Sequence, residues 1–514
     1  MKKNTNFFQR AVLLLLFAIL SFSSIAQPGG STVLLQGFNW ESWRYGWWKV
    51  LDNNAATIQA AKFNGIWFPP PSDAAAPQGY LPRQLRVLNS AYGTQSELQT
   101  AINNFKDRNV KVIGDIVINH RVGTANWGDF TNPTWGCWAV VKGDEWSGAC
   151  GSNYDTGDGY ASGRDLDHAN ANVKSEIISW MQWLKNTIHF DGWRYDYSKG
   201  YSGSYIKTYN DNTAPWISIG EIWTDLDINN VNAHRQRIVD WIDATSASST
   251  AFDFTTKGVL QQAIKYNEYW RMAINGQAPG VIGWWPAKAV TFIDNHDTGS
   301  TQNHWPFPSD NEKVLQGYAY ILTHPGIPMI FWDHYFDWGS LYRDRIQSLI
   351  NIRKSWAISS TSSLAIQRAE TGLYAAIVGG KVAVKIGPNS WSPGAGWTLR
   401  TSGINYAVWT YGAAVARLGG EENGSNKLAL TLEQNYPNPS NGSSVVAFTL
   451  PDHQHVSIEV FNAMGEKVLE VANGEYSQGK HQLPIDLTHL RSGIYTYRLV
   501  SGGKSISMRL VLKE

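Results

Sequence analysis

Four short apolar runs in this chain each deliver polar side chains at their ends, with helical stretches between them. Val110 to Ile118 leads to Asn119 and His120, Phe190 to Tyr195 to Asp196, Ile217 to Gly220 to Glu221, and Val290 to Ile293 to Asp294, Asn295, His296 and Asp297. Short buried strands separated by helices predict a parallel sheet. Their recurrence predicts a closed (β/α)8 barrel, in which the polar strand ends gather at one rim. Strand side chains repeat every two residues, so Arg194 and Asp196 share a face. A guanidinium that close favours the ionised carboxylate and leaves Asp196 available as a nucleophile or electrostatic stabiliser; a structural ion pair is the alternative. Carboxylates at the ends of three such runs favour a site.

Other segments extend the same alternation. Val33 to Phe38 reads as the first strand, Ala55 to Phe63 as a helix, and Gly65 to Phe68 as the second strand, ended by Pro69, Pro70 and Pro71. An amphipathic helix is expected over Asn172 to Leu184. Glu312 to Thr323, the strand Gly326 to Phe331 and the helix Leu341 to Ser355 close the barrel. Between His120 and Asn172 the helical rhythm stops for longer than a barrel loop needs, which points to an inserted subdomain over about 121–168. Its oxygen donors Asp155, Asp158, Asp165 and Asp167, together with Asn119, suit a hard cation.

From about Leu364 the pattern turns to β alternation, with Gly379-Gly380 between two alternating runs as a hairpin signature. Residues 417–430 read as a polar linker. The segment 431–514 is a further β-rich unit.

A chain of 514 residues exceeds one hydrophobic core, so several domains are expected. The formal net charge of +1 gives no electrostatic reason to expect nucleic acid or an anionic membrane as partner. Neutral substrates fit better. Most of the 25 tryptophans are expected to pack in cores, and the alternative for some of them is an exposed flat apolar platform. Residues 1–26 read as an export signal, with Lys2, Lys3 and Arg10 ahead of a short apolar run and a small-residue cleavage site; an uncleaved anchor is the alternative. No later segment is apolar enough to cross a membrane. Cys137 and Cys150 are expected to form a local disulfide in an exported protein, with free thiols as the alternative.

The segments DIVINH (115–120), GWRYDYSK (192–199), GEIW (220–223) and FIDNHD (292–297) resemble, in this order, the four sequence regions of the α-amylase family of glycoside hydrolases. QGFNWES (36–42), GWWPAKAVTF (283–292) and DHYFDWG (333–339) are similar to segments of its plant-type members. The resemblance spans roughly residues 31 to 410. It implies a TIM barrel over 27–358 with an irregular domain B inserted, an antiparallel β domain C over 359–416, and a secreted, retaining, endo-acting hydrolase of starch, amylose and maltooligosaccharides.

By this resemblance Asp196 is the nucleophile, Glu221 the acid/base, and Asp297 the neighbour that keeps Glu221 protonated and holds sugar hydroxyls. His120, His296 and Arg194 surround the same sugar, Tyr80 is an aromatic platform beneath it, and Lys199 and Trp223 contact the departing side. Structural Ca2+ is implied at Asn119, Asp165 and the backbone of Gly200; Asp158 is the third carboxylate, one position off the family pattern. Trp284 and Trp285 are implied to form a surface starch platform, since adjacent strand residues face opposite ways; core packing is the alternative. The C-terminal unit resembles the sorting domains, β-sandwich-like, of the type IX export pathway, which implies passage through the periplasm of a Gram-negative bacterium to the surface or medium. A carbohydrate-binding sandwich is the other reading of this unit, and its lack of tryptophan weakens it. A transglycosylase of the same family and a non-catalytic starch-binding protein are the alternatives for the whole chain, which is expected to be a monomer.

Overall fold

The computed structural model describes residues 28–513, apart from 124–126, 413–429, 436–437, 439 and 463. The expected export signal lies outside the described residues, as does the expected linker but for Leu430. The chain divides into two compact units, one of residues up to 332 with 348–412, the other of 333–347 with 413 onward.

Eight parallel strands close the barrel of the first unit: β1 (Leu34–Gln36), β2 (Gly65–Phe68), β3 (Lys111–Ile116), β4 (Gly192–Tyr195), β5 (Ser218–Gly220), β6 (Thr250–Phe252), β7 (Ala289–Thr291) and β8 (Ile327–Phe331). Neighbours in space follow sequence order all the way round, β8 returning to pair with β1. The helices between them are α1 (Trp47–Ala60), α2 (Gln95–Asp107), α3 (Ala171–Trp183), α4 (Gly203–Thr213), α5 (Val231–Ala244), α6 (Phe254–Tyr266) and α7 (Lys313–Thr323), and α8 (Ser340–Ser355) follows β8.

Local chemistry sets the helix starts. Thr94 and Glu97 form a reciprocal capping box on α2, and Asn170 and Ser202 cap α3 and α4. Asp253 accepts from Thr256 N at 2.9 Å at the head of α6. Each such cap stabilises its helix by about 1 kcal/mol.

The sequence reading starts α1 eight residues late. Trp48, Leu51, Ala55 and Ile58 recur at three- and four-residue spacing and are buried, so the helix begins at Trp47, directly after Gly46 in the left-handed region. That reading also leaves out β6 and α6. A three-residue strand carries no measurable period, and Thr250–Phe252 is fixed instead by its pairing with β5 and β7.

Beyond the barrel, five antiparallel strands, β9 (Leu364–Glu370), β10 (Leu373–Val378), β11 (Val382–Ile386), β12 (Trp397–Gly403) and β13 (Tyr406–Tyr411), form one sheet in the order β9-β10-β11-β13-β12. Gly379 and Gly380 both have positive φ, as the β10–β11 hairpin requires.

The second unit holds β14 (Thr431–Leu432), β15 (Ser443–Leu450), β16 (Gln454–Phe461), β17 (Lys467–Tyr476), β18 (Gly479–Asp486), β19 (Gly493–Ser501) and β20 (Lys504–Leu512). They make two sheets, β14-β15-β18 and β17-β16-β19-β20. Phe448 and Leu450 from one sheet and Ile458, Tyr497 and Leu499 from the other share a single buried core, as in a β-sandwich.

Candidate active site

The site grows from the ladder between β3 and β4. Asp115 and Arg194 are direct register partners there, both on the barrel interior and both buried. Arg194 Nη1 donates to Asp115 at 2.9 Å and to Asp196 Oδ1 at 2.8 Å, while Nη2 lies 2.6 Å from Glu221 Oε1. One guanidinium fork thus holds carboxylates from the ends of three neighbouring strands. Such a buried cluster is costly to desolvate, and removing one partner from it is destabilising.

Two backbone features aim these groups. Tyr197 sits in the left-handed region, φ 43°, and turns its N–H onto Glu221 Oε2 at 3.0 Å. Gly220 leaves room for the Trp241 ring, which would collide with any Cβ there, and Trp241 Nε1 in turn donates to Ser198 O at 3.1 Å. Ser198 Oγ accepts from Glu221 N at 3.1 Å.

Burial raises the carboxyl groups of Asp196 and Glu221, and Arg194 opposes it at both. Asp297 reaches the same cleft from the loop after β7 without a bond to the guanidinium. Burial and the charge of Glu221 therefore push its carboxyl well above the usual carboxylate range. Burial thus raises all three carboxyl groups.

His296 Nδ1 accepts from Gln36 Nε2 at 2.9 Å, so its proton sits on Nε2, 3.3 Å from Asp297 Oδ2. Burial and the nearby Arg194 hold this ring neutral. Tyr80 lies against it with centroids 5.1 Å apart and planes within 7°, and the near-parallel Trp40 ring lies beside both, 5.9 Å from Tyr80 and 6.0 Å from His296. The Tyr80 hydroxyl donates to Asp115 Oδ2 at 2.8 Å. His120 Nε2 donates to the Tyr80 carbonyl at 2.8 Å, and its ring stacks on Tyr160 at 3.9 Å. Across the cleft Trp223 stacks on Phe254 at 5.5 Å, and Lys199 Nζ lies 5.0 Å over the Tyr197 ring.

Asp196, Glu221, Asp297, Tyr80, His296, Trp223 and Lys199 all line one open cleft of ≈ 690 Å³, and Arg194 and His120 lie directly behind its wall. The structure adds Asp115, Trp40, Tyr160 and His304, which the sequence reading does not single out. Asp115 had a signal, since it is the one carboxylate inside the strand, set among Val112, Ile113 and Ile116.

Next to the cleft, Asp144, Glu145 and Asp165 bring carboxylate oxygens within 4.8 Å of one another, a group able to hold a metal ion. Asn119 Nδ2 donates to Asp165 Oδ1 at 3.0 Å, and a Cβ at Gly200 would collide with Asn119 Oδ1. Burial and the charges of Asp155, Glu145 and Asp144 push Asp165 up to about 8, and Asp155 is raised likewise. Asp155 Oδ2 is buried without a hydrogen-bond partner among the described residues. Asp158, named from sequence as the third carboxylate, stands apart. Its exposed side chain faces Lys199 Nζ at 3.7 Å, because the chain has already turned toward the cleft there. Asp155 is the carboxylate that points inward.

Trp284 and Trp285 are not on a strand. Val281–Trp284 is one helical turn and Pro286 starts the next, so alternation of faces does not apply. Trp284 is exposed with the Arg235 guanidinium 3.6 Å over its ring, and Trp285 is half-buried. Cys137 and Cys150 are joined in a disulfide.

A closed barrel whose rim gathers carboxyl pairs around a guanidinium, walled by aromatic rings, has the build of a glycoside hydrolase. The α-amylase catalytic domain model matches residues 55–215, the α-amylase C-terminal β-sheet domain residues 355–410, and the secretion system C-terminal sorting domain residues 434–513. Probable alpha-amylase 2 of Arabidopsis thaliana is 48% identical over 395 residues, covering 74% of this chain and 94% of that protein. Glucan 1,4-alpha-maltotetraohydrolase of Stutzerimonas stutzeri is 29% identical over 396 residues, 72% of this chain and 70% of that one. Among solved structures, the cyclic alpha-maltosyl-(1→6)-maltose hydrolase of Arthrobacter globiformis shares the fold, with a TM-score of 0.54 at 14% identity over 74% of this chain and 98% of that one. The chain belongs to the α-amylase family and is a hydrolase of that family. Among the described residues no helix is long and apolar enough to cross a membrane.

Proposed function

We propose that this protein is a secreted, retaining, endo-acting hydrolase of internal α-1,4-glucosidic bonds in starch and related glucans. The observation that carries the reading is the shared Arg194 fork, which keeps Asp196 and Glu221 on adjoining nitrogens. That arrangement supports the separation of about 5–5.5 Å used when configuration is retained. Asp196, ionised against the guanidinium, attacks the anomeric carbon. Glu221 gives its proton to the departing glycosidic oxygen and then takes one from the water that releases the glycosyl-enzyme. Asp297 and neutral His296 bind the hydroxyls of the same ring, Tyr80 and His120 wall it, and Trp223 and Lys199 face the leaving chain.

Calcium fits the oxygen cluster beside domain B. Asn119, Asp155, Asp165 and the Gly200 carbonyl would hold it, with Asp144 and Glu145 adjacent; hard oxygen donors and an orphaned buried carboxylate oxygen favour such an ion. When bound it supplies positive charge that lets these carboxylates ionise together. Trp284, with Trp285, would serve granule capture. The sorting-domain match supports export by the type IX route, with residues 1–26 as signal, 27–358 as barrel, 359–416 as domain C and 431–514 as the sorting domain.

Following viscosity and reducing ends on soluble starch tests the reading. Viscosity should fall ahead of reducing-end release, and Asp196→Asn and Glu221→Gln should each lose about 10²–10⁴-fold in kcat. Either variant at full rate would contradict the assigned roles.

A further inference from the structure

Away from the catalytic cleft, a groove of ≈ 320 Å³ separates the end of the loop after β5 from residues 270–274. Trp270 forms one wall and is 46% exposed. The Arg271 guanidinium stacks on it, 4.3 Å from the ring centroid, yet the Arg271 side chain is only 16% exposed. Arg271 is pinned from beneath, donating to Glu268 Oε2 at 2.6 Å and to the Ile228 carbonyl at 3.3 Å. The arginine therefore takes the protein side of the indole and leaves the other face to solvent, as a rigid platform.

The opposite wall carries Asn229, Asn230 and Asn232, all exposed. Their amide side chains make no hydrogen bond among the described residues, and Asn230 at the head of α5 does not use its side chain as a cap. No carboxylate lines the groove, which disfavours a cation. Glu268 already neutralises the one guanidinium, which disfavours an anion.

An open aromatic face opposite unpaired amides, which both donate and accept, suits a neutral polyhydroxylated ring. We propose that this groove is a further carbohydrate-binding site, taking a short run of α-linked glucose units with one ring stacked on Trp270. The proposal rests on the reading of the chain as a glucan hydrolase. Asn232 and Arg235 lie one turn apart on the same face of α5, and Arg235 covers Trp284. A glucan strand leaving Trp270 along that face runs toward Trp284.

The test is retardation of the full chain in native gels containing amylopectin, in a Glu221→Gln background that leaves the polymer intact. Trp270→Ala should raise the apparent dissociation constant about five- to tenfold, Trp270→Phe should retain most of the binding, and Asn229→Ala with Asn232→Ala should shift it in the same direction. With Glu221 restored, all of these variants should hydrolyse a short maltooligosaccharide at the parental rate. Unchanged retardation of Trp270→Ala would overturn the site. If Trp270→Ala fails to fold, seen as lost short-substrate hydrolysis, the exposed asparagine pair decides, and its unchanged retardation overturns the proposal equally. Failure of the catalytic reading would look different: the parental enzyme would be retarded yet would not cut.

Discussion

Asp115 receives hydrogen bonds from Arg194, from the Tyr80 hydroxyl and from Trp67 Nε1 at 3.1 Å, so one buried carboxylate holds both the guanidinium that contacts Asp196 and Glu221 and the Tyr80 ring of the cleft wall. Asp115→Asn removes half of its accepting capacity and adds a donor where only donors face it. Breaking a buried pair of this kind costs about 3–5 kcal/mol. Arg194 keeps its other two carboxylates, so the fold should survive with a lowered Tm while kcat falls about 100-fold. Wild-type kcat and Tm in this variant would show that the guanidinium is held by Asp196 and Glu221 alone. Asp115 lies within the same segment that delivers Asn119 and His120, and sequence makes it look like a strand interruption. Its role becomes legible only once β3 and β4 are in register, because the alternation that pairs Arg194 with Asp196 says nothing about the neighbouring strand.

At the scale of elements, strand ends are readable and excursions are not. Glu221 and Asp297 follow short apolar strands that any closed barrel must aim at its rim, so their convergence was legible from pattern. The insertion over about 121–168 has no period, and which of its carboxylates turn inward depends on turns that composition does not encode. Asp155 and Asp158 are three residues apart, yet one has a buried, unpartnered oxygen and the other faces solvent and Lys199. This gives a sharp contrast for the metal. Asp155→Asn should weaken calcium retention about tenfold or more and make thermal stability insensitive to added calcium, whereas Asp158→Asn should behave as wild type. Titration of chelator-treated protein with Ca2+, read by Tm, measures both. Equal effects of the two substitutions would mean that the ion is held elsewhere.

Across the whole molecule, acid sensitivity follows from histidines buried without charge. Burial pushes His120 down to about 4 and both His168 and His324 to about 3, against about 6.5 in an unfolded chain. Their contribution to stability is complete above about 6.5 and is lost as pH falls toward the folded values, because the unfolded chain takes up protons that the folded chain refuses. Asp165, raised to about 8 in the absence of a bound cation, acts with the opposite sign over part of that range, since its folded form binds the proton more readily than its unfolded form. Total acid slope is therefore a poor test and the difference between variants a good one. His324 bridges barrel and domain C, bonding the Tyr374 hydroxyl at 2.8 Å through Nε2 and the Tyr320 carbonyl at 2.9 Å through Nδ1. The Tyr320 carbonyl can only accept, so the neutral ring carries its proton on Nδ1 and Nε2 accepts from the Tyr374 hydroxyl. His324→Gln should lower Tm near pH 7 but lose less of it between pH about 6.5 and 4, so that the two Tm curves converge on acidification. Parallel curves would mean that His324 is protonated in the folded protein, which would contradict its burial as the source of acid lability.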